Sequence, residues 1–145
     1  MIIIIRKAEL NDYIAIQKIN TNSLGYEFPL AETKEQIQKI INLPTTVLFI
    51  AESNDGVVGY IQLSDYENTY HKSLKNIVTL AVDSSKQAQG VGSQLLAAGE
   101  QWAKENGADG IRLVTGFERK AARKFYEKNG YQVRKDQTNY IKWWK

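Results

Sequence analysis

One change of hydrophobic period, between residues 47 and 103, limits the fold more than any other feature of the chain. Val47–Glu52 and Val57–Leu63 are rich in β-branched and aromatic residues, and they flank Asn54-Asp55-Gly56, a strong hairpin turn signal. The polar stretch from Ser64 to Lys75 leads to a third apolar run, Ile77–Val82. A glycine-bearing loop follows. Val91, Leu95, Ala98, Gly99, Trp102 and Ala103 then fall on one face of a helix that Asn106-Gly107 ends. Strands that give way to a helix through a glycine loop, with another short strand (Ile111–Thr115) behind, define an α/β-type chain.

The flanking segments extend this pattern. Ile2–Lys7 reads as a buried strand, and Asn11 is placed to cap a helix running to about Asn20, with Tyr13, Ile16, Ile19 and Asn20 at helical spacing. Ser23–Leu30 is a loop, and Thr33 with Gln36 forms a capping-box pattern for a second helix that ends at Pro44. Residues 118–128 form an amphipathic helix with Ala122, Phe125 and Tyr126 inward, closed by Asn129-Gly130. Tyr131–Lys135 and Tyr140–Trp144 are expected as final strands. No repeat or linker divides the 145 residues, so one domain over 1–145 is expected.

Composition removes several chemistries. There is no cysteine, which excludes disulfides, thiolate metal sites and a cysteine nucleophile. His71 is the only histidine and no G-x-S-x-G elbow is present, so neither a histidine-rich metal site nor a serine-hydrolase arrangement is expected. The Met1-to-Ile5 run is too short to span a bilayer and Arg6-Lys7 follows it directly, so no membrane partner and a cytoplasmic location are expected. Charge is uneven: residues 118–145 carry a local +6 and the remainder −3. A basic C-terminal region suits an anionic ligand, but no nucleic-acid motif accompanies Trp143-Trp144, and no nucleic-acid partner is expected.

Two segments carry the chemistry. At the junction Val82 to Ser93, peptide N–H groups at a helix start have no intrahelical partner and, with the helix dipole, favour phosphate oxygens. Gly90 and Gly92 let backbone approach a pyrophosphate, and Ser93 adds a hydroxyl. By itself a short Gly-x-Gly before a helix is more often an ordinary turn than a ligand site. It is neither a P-loop nor a dinucleotide fingerprint, because the required Gly-Lys-Ser/Thr and third glycine are absent. The second segment runs from Arg119 through Ala122, Phe125, Tyr126, Lys128 and Gly130 to Tyr131.

Together the two segments resemble the GNAT superfamily of acyl-CoA-dependent N-acyltransferases, over essentially the whole chain. The family's cofactor loop, (Arg/Gln)-x-x-Gly-x-(Gly/Ala), is matched by Gln87, Gly90 and Gly92. Its following helix, Asn-x-x-Ala-x-x-Phe-Tyr-x-Lys-x-Gly-Phe/Tyr, is matched by Ala122, Phe125, Tyr126, Lys128, Gly130 and Tyr131, with Arg119 in place of the asparagine. Ser84 stands where the family often has proline, and Gln87-Ala88 where Arg-Gly is common. The resemblance implies a central mixed, largely antiparallel sheet of about seven strands with a splayed parallel pair, flanked by four helices.

It also implies direct transfer of an acetyl group from acetyl-CoA to a primary amine of a small molecule or peptide, without a metal, in a monomer or homodimer. A non-catalytic CoA-binding module on the same fold is the alternative. The implied cofactor residues are Leu80, Ala81, Val82, Gln87, Ala88, Gln89, Gly90, Val91, Gly92, Ser93, Arg119, Ala122, Phe125 and Lys128. Tyr126 is the implied acid for the departing thiolate. Glu67 and His71 are candidate bases, and Tyr26, Glu27, Asp65 and Tyr66 candidate acceptor contacts.

Overall fold

The computed structural model describes residues 2–87, 89–116 and 118–145. It divides into two compact units, Met1–Leu113 and Val114–Lys145. In the first, β1 (Ile4–Lys7) leads through one 3₁₀ turn (Leu10–Asp12) to α1 (Tyr13–Leu24) and α2 (Leu30–Ile41). β2 (Thr46–Ser53), β3 (Gly56–Tyr66) and β4 (Leu74–Val82) follow, then α3 (Val91–Glu105) and β5 (Gly110–Leu113). One sheet results, in the order β1-β2-β3-β4-β5. Every pairing is antiparallel except β4 with β5, which is parallel.

The expected hairpin forms, with Ser53 opposite Gly56 and Gly56 at φ 101°, a conformation open to glycine at little cost. Alternation along the strands then builds two layers. Leu48, Ile50, Tyr60 and Ala81 face α1 and α2 and pack with Ile16, Ile19 and Ile37. On the other face α3 lies close to the sheet. A Cβ on Gly59 would meet the Ala81 carbonyl oxygen at 2.8 Å and Leu95 Cδ1 at 3.1 Å, and one on Gly99 would meet Leu63 Cδ1 at 3.0 Å. Helix and sheet touch here because neither glycine has a side chain.

Local chemistry shifts some expected boundaries. Asp12, rather than Asn11, organises the entry to α1: its carboxylate accepts from the Glu9 N–H at 2.7 Å and from both terminal nitrogens of Arg6 at 2.8 and 2.9 Å. Burial would raise the Asp12 pKa, but the bonds from Arg6 and the Glu9 backbone outweigh it and hold the carboxylate below its usual range. Pro29 starts α2 ahead of the expected cap, because proline suits a helix entry. Buried Thr33 donates to the Pro29 carbonyl at 3.0 Å instead of capping. β3 and β4 also run further towards their connection than their apolar cores indicate, to Tyr66 and from Leu74.

The second unit holds α4 (Lys120–Lys128), the fourth helix expected. Phe125, Tyr126 and Tyr131 meet edge to face, with ring centroids 5.2 and 5.7 Å apart. The final strands expected at Tyr131–Lys135 and Tyr140–Trp144 do not form, so the sheet has five strands rather than about seven. A two-residue alternation describes a side-chain pattern, whereas a strand also needs a neighbouring ladder and a face to cover. Val133, Tyr140, Ile141, Trp143 and Trp144 have neither and are exposed, Tyr140 to 88%.

Filling the closest approach of helix and sheet tests this packing. Gly59→Ala is expected to cost about 1–3 kcal/mol, since the Ala81 backbone cannot yield as a side chain could. Urea unfolding of the variant reads the loss, and an unchanged midpoint would mean that α3 can shift outward freely.

Candidate functional site

The parallel strands β4 and β5 pair only from Leu74↔Gly110 to Ile77↔Leu113. Directly above, the register with β3 slips: Ile77 faces Leu63 and Thr79 faces Gln62, leaving Val78 as an extra, half-exposed residue. Leu80, Ala81 and Val82 then pair with Ile61, Tyr60 and Gly59 of β3. They have no strand partner on the side of β5 among the described residues, so alternate peptide groups there face an open edge.

The chain leaves this edge through a braced turn. The Asp83 carboxylate accepts from Ser85 N–H at 2.9 Å and Ser85 Oγ at 2.8 Å, bonds that hold it below the usual carboxylate range. Ser84 N–H donates to Ser23 Oγ of α1 at 3.0 Å, and Lys86 Nζ meets Asp55 of the hairpin at 3.1 Å. The Gln87 side-chain amide lies 3.5 Å from the Val82 carbonyl. Ala88, one of the expected loop contacts, lies outside the described residues.

Exposed Gln89 leads to Gly90, whose φ of 82° is left-handed and whose absent Cβ would meet nothing within 4 Å. Gln94 N–H donates to the Gly90 carbonyl at 3.1 Å, closing the first helical turn. The N–H groups of Val91, Gly92 and Ser93 precede that bond and have no intrahelical acceptor. Val91 is buried at 1% and anchors the helix start, while Ser93 is exposed. The result is an open anion cradle at the positive end of a fifteen-residue helix.

A cavity of about 110 Å³ lies between α1, α2 and the sheet. Asn20, Phe28, Gln36, Leu48, Tyr60 and Gln62 line it, with no charged side chain in its wall. Tyr60 is buried and donates its hydroxyl to Asn20 Oδ1. Burial pushes this phenol up to about 12, against hydrogen bonds with Thr79 and Asn20. Sequence reasoning missed this group. Its signal was available: Tyr60 and Gln62 put polar groups on one face of an apolar strand, where a core would have aliphatic residues.

The loop residues expected at an acceptor site form a separate network where β3 and β4 connect. Asp65 pairs with the buried Lys75 at 2.7 Å, and the Lys75 ammonium stands 5.1 Å from the Trp102 ring centroid. Tyr66 stacks on His71 at 5.8 Å and carries the Arg112 guanidinium at 4.5 Å. Glu67 accepts from Ser73 Oγ at 2.8 Å. His71 Nδ1 lies 2.7 Å from the Lys72 carbonyl oxygen, and its buried Nε2 has no hydrogen-bond partner. None of the four lines the cavity. Tyr26 and Glu27 lie exposed on the connection between α1 and α2, next to the cavity's Phe28.

In the second unit, Arg119 precedes α4, and its N–H donates to the Gly116 carbonyl at 3.0 Å. Ala122, Phe125 and Tyr126 are half-buried, and Lys128 is exposed in the last turn. Burial pushes the Tyr126 phenol up to about 12, with the Arg119 charge acting in the opposite sense. Among the described residues, no cluster of His, Cys, Asp or Glu could hold a metal ion, and no helix is long and apolar enough to cross a membrane.

The open edge and the left-handed Gly90 belong to the strand-to-helix segment whose Gln87, Gly90 and Gly92 carry the family's loop pattern. Residues 44–133 match the family model described as an acetyltransferase (GNAT) domain. The chain belongs to the GNAT acetyltransferase family. It is 36% identical over 90 residues to the uncharacterized N-acetyltransferase YhfO of Bacillus subtilis, covering 60% of this chain and 59% of that protein. It is also 36% identical over 84 residues to the aminoalkylphosphonate N-acetyltransferase of Salmonella typhimurium, covering 57% and 54%. The match thus spans little more than half the length of these curated relatives. Among solved structures, the aminoglycoside acetyltransferase meta-AAC0020 from an uncultured soil metagenomic sample superposes with a TM-score of 0.81 at 24% identity, covering 99% of this chain and 97% of that one.

Because Gly90 holds a left-handed φ, Gly90→Ala is expected to lower stability by about 1–2 kcal/mol despite the open space around it. Chemical denaturation measures this, and an unchanged midpoint would show that the loop can abandon the conformation freely.

Proposed function

We propose that residues 1–145 act as one cytoplasmic N-acetyltransferase domain that transfers an acetyl group from acetyl-CoA to a primary amine of a small molecule or peptide. The observation that carries this reading is the juxtaposition of two complementary features in one loop. The open edge at Leu80, Ala81 and Val82 runs directly into the anion cradle at Gly90, Val91, Gly92 and Ser93. A ligand with a pyrophosphate at one end and amide groups along an arm fits both: at Gly90 no Cβ intrudes on the cradle, and the edge has peptide groups to spare. The relatives named as N-acetyltransferases support acyl transfer to nitrogen.

In this reading the Gln87-to-Ser93 segment holds the phosphates, and one open N–H of the Leu80-to-Val82 edge faces the oxygen that gains charge. Ala122, Phe125, Lys128 and Arg119 are the further cofactor contacts of α4. When bound, acetyl-CoA supplies an activated thioester carbonyl. The amine nitrogen forms a bond to the acyl carbon, the carbon–sulfur bond breaks, and the sulfur takes its proton from Tyr126. The phenol remains protonated at neutral pH and so has a proton to give as the thiolate, of pKa roughly 8.5–10, departs. Glu67 and His71 are tied to Ser73 and Lys72. They stay the candidates for taking the proton lost by the amine, with a water chain as the alternative.

Calorimetric titration with acetyl-CoA, with NAD and ATP as controls, tests the donor. Binding of acetyl-CoA alone is expected, and its absence would refute the reading. Binding without thiol release on any amine would make the chain a CoA-binding module instead. Gly90→Glu should abolish acetyl-CoA binding by bulk and like charge while Gly90→Ala retains it. Equal affinity in the two variants would remove the cradle from the site.

Tyr126→Phe should bind acetyl-CoA normally yet lose about 10²–10⁴-fold in turnover, the usual contribution of a general acid. A required acid with a raised pKa also moves the alkaline loss of turnover upward, from the free-phenol value of about 10 towards about 12. A pH profile of kcat checks the displacement, and normal turnover of Tyr126→Phe would take this residue out of the chemistry.

A further inference from the structure

We infer that the cavity between α1, α2 and the sheet receives the acceptor, and that it selects amines whose other atoms are few, uncharged and able to hydrogen-bond, such as amino alcohols and amino amides. This assignment rests on the acyl-transfer reading, and four observations carry it.

The first is polarity in the wrong place for a core. Two helices laid on a sheet normally enclose aliphatic side chains, and Ile16, Ile19, Ile37 and Ile50 behave that way here. Beside them Asn20, Tyr60 and Gln62 turn polar groups into the same layer, with Gln36 exposed at its mouth. Asn20 and Tyr60 satisfy one another. The Gln36 and Gln62 side-chain amides carry no hydrogen bond to another described residue. Each offers one acceptor and two donor hydrogens to a visitor. Core packing gives no reason to turn the half-buried Gln62 into this layer, since a polar group withdrawn from water without a partner costs stability.

The second observation is position. Tyr60 lies opposite Ala81, and Gln62 lies opposite Thr79. Adjacent strands are about 4.8 Å apart. The cavity wall is therefore one strand away from the edge proposed to hold the thioester. A small molecule seated against Tyr60 and Gln62 has β4 within reach of its amine.

Charge is the third. The wall has no carboxylate to meet a second or third ammonium group and no cation to meet a phosphonate. An unpaired charge brought into such a space is disfavoured by desolvation. The same effect acts on the reacting amine itself, where it is useful: an environment without counter-ions disfavours ammonium, so the neutral, nucleophilic amine gains relative weight.

Size is the last. A closed cavity of 150 Å³ accommodates benzene, so the walls of one of about 110 Å³ enclose only a handful of non-hydrogen atoms, while its mouth stays open to solvent. The relatives named for aminoglycosides and aminoalkylphosphonates therefore differ from this chain in acceptor chemistry, although they share its family or fold.

The test combines binding with turnover. With ¹⁵N-labelled full-length chain, ethanolamine and glycinamide are titrated and the side-chain amide signals of Asn20, Gln36 and Gln62 are followed, with and without acetyl-CoA. Thiol release is then compared for ethanolamine, glycinamide, spermidine and 2-aminoethylphosphonate. The expected result is saturable shifts at Asn20 and Gln62, with kcat/KM for the best uncharged amine about ten-fold or more above spermidine and the phosphonate. Gln36→Glu, at the exposed mouth, should keep its Tm and raise kcat/KM for spermidine by about ten-fold relative to ethanolamine.

Preference for spermidine or the phosphonate overturns the inference. So do shifts that bypass these residues, a Gln36→Glu variant with unaltered selectivity, and turnover with none of the four amines by protein that binds acetyl-CoA. Failure to bind acetyl-CoA instead sinks the acyl-transfer reading, while the titrations without it still decide whether the cavity takes these amines.

Discussion

Contact between α3 and the sheet, made possible by two glycines, sets the geometry of everything built on this face. Gly59 and Gly99 remove the two side chains that would hold the helix off the strands. Val91 and Leu95 then reach full burial, at 1% and 0% exposure. Because Val91 is the first residue of α3, the helix start is locked onto the body while its unpaired N–H groups remain outside. A rigid anchor one residue from the open backbone reduces what an arriving anion would have to order. The braced turn at Asp83 does the same on the strand side.

The divergence of β4 from β5 has an equally local cause. Below the Val78 bulge the parallel pair is clamped by side chains: Arg112 Nη1 donates to Asn76 Oδ1 at 2.7 Å, and Tyr66 covers the guanidinium. The Lys75–Asp65 pair and the Trp102 ring close the same region from the neighbouring register. Above the bulge nothing comparable ties β4 to β5 among the described residues. One end is therefore stapled and the other left open. The loop residues that the family resemblance placed near an acceptor take part in this staple, which gives Asp65 and Tyr66 a mechanical role.

What could be read in the sequence was whatever depends on neighbours in the chain. The Asn54-Asp55-Gly56 turn, the helical stripe from Val91 to Ala103 and the glycines before it are short-range signals, and each has its expected place. Signals that depend on a distant partner were less legible. Thr33 resembled a cap but bonds to the Pro29 carbonyl inside a longer helix. The alternation at Tyr140 to Trp144 fits a strand, yet no ladder takes it up. The cavity was hidden for a related reason. Tyr60 and Gln62 do stand out as polar groups on an apolar strand, but nothing along the chain says that Asn20 and Gln36, from two other elements, are brought over them by the fold.

The exposed C-terminal aromatics also change how this protein reports on itself. Of its three tryptophans, Trp143 and Trp144 are 77% and 83% exposed, and Trp102 is half-buried. Two of the three indoles are thus already in water in the native state. The intrinsic emission of the folded protein would be dominated by long-wavelength light, and melting the core would alter only the minority contribution. Backbone circular dichroism, which follows α1 to α4 and the five strands, is the optical signal that tracks the fold.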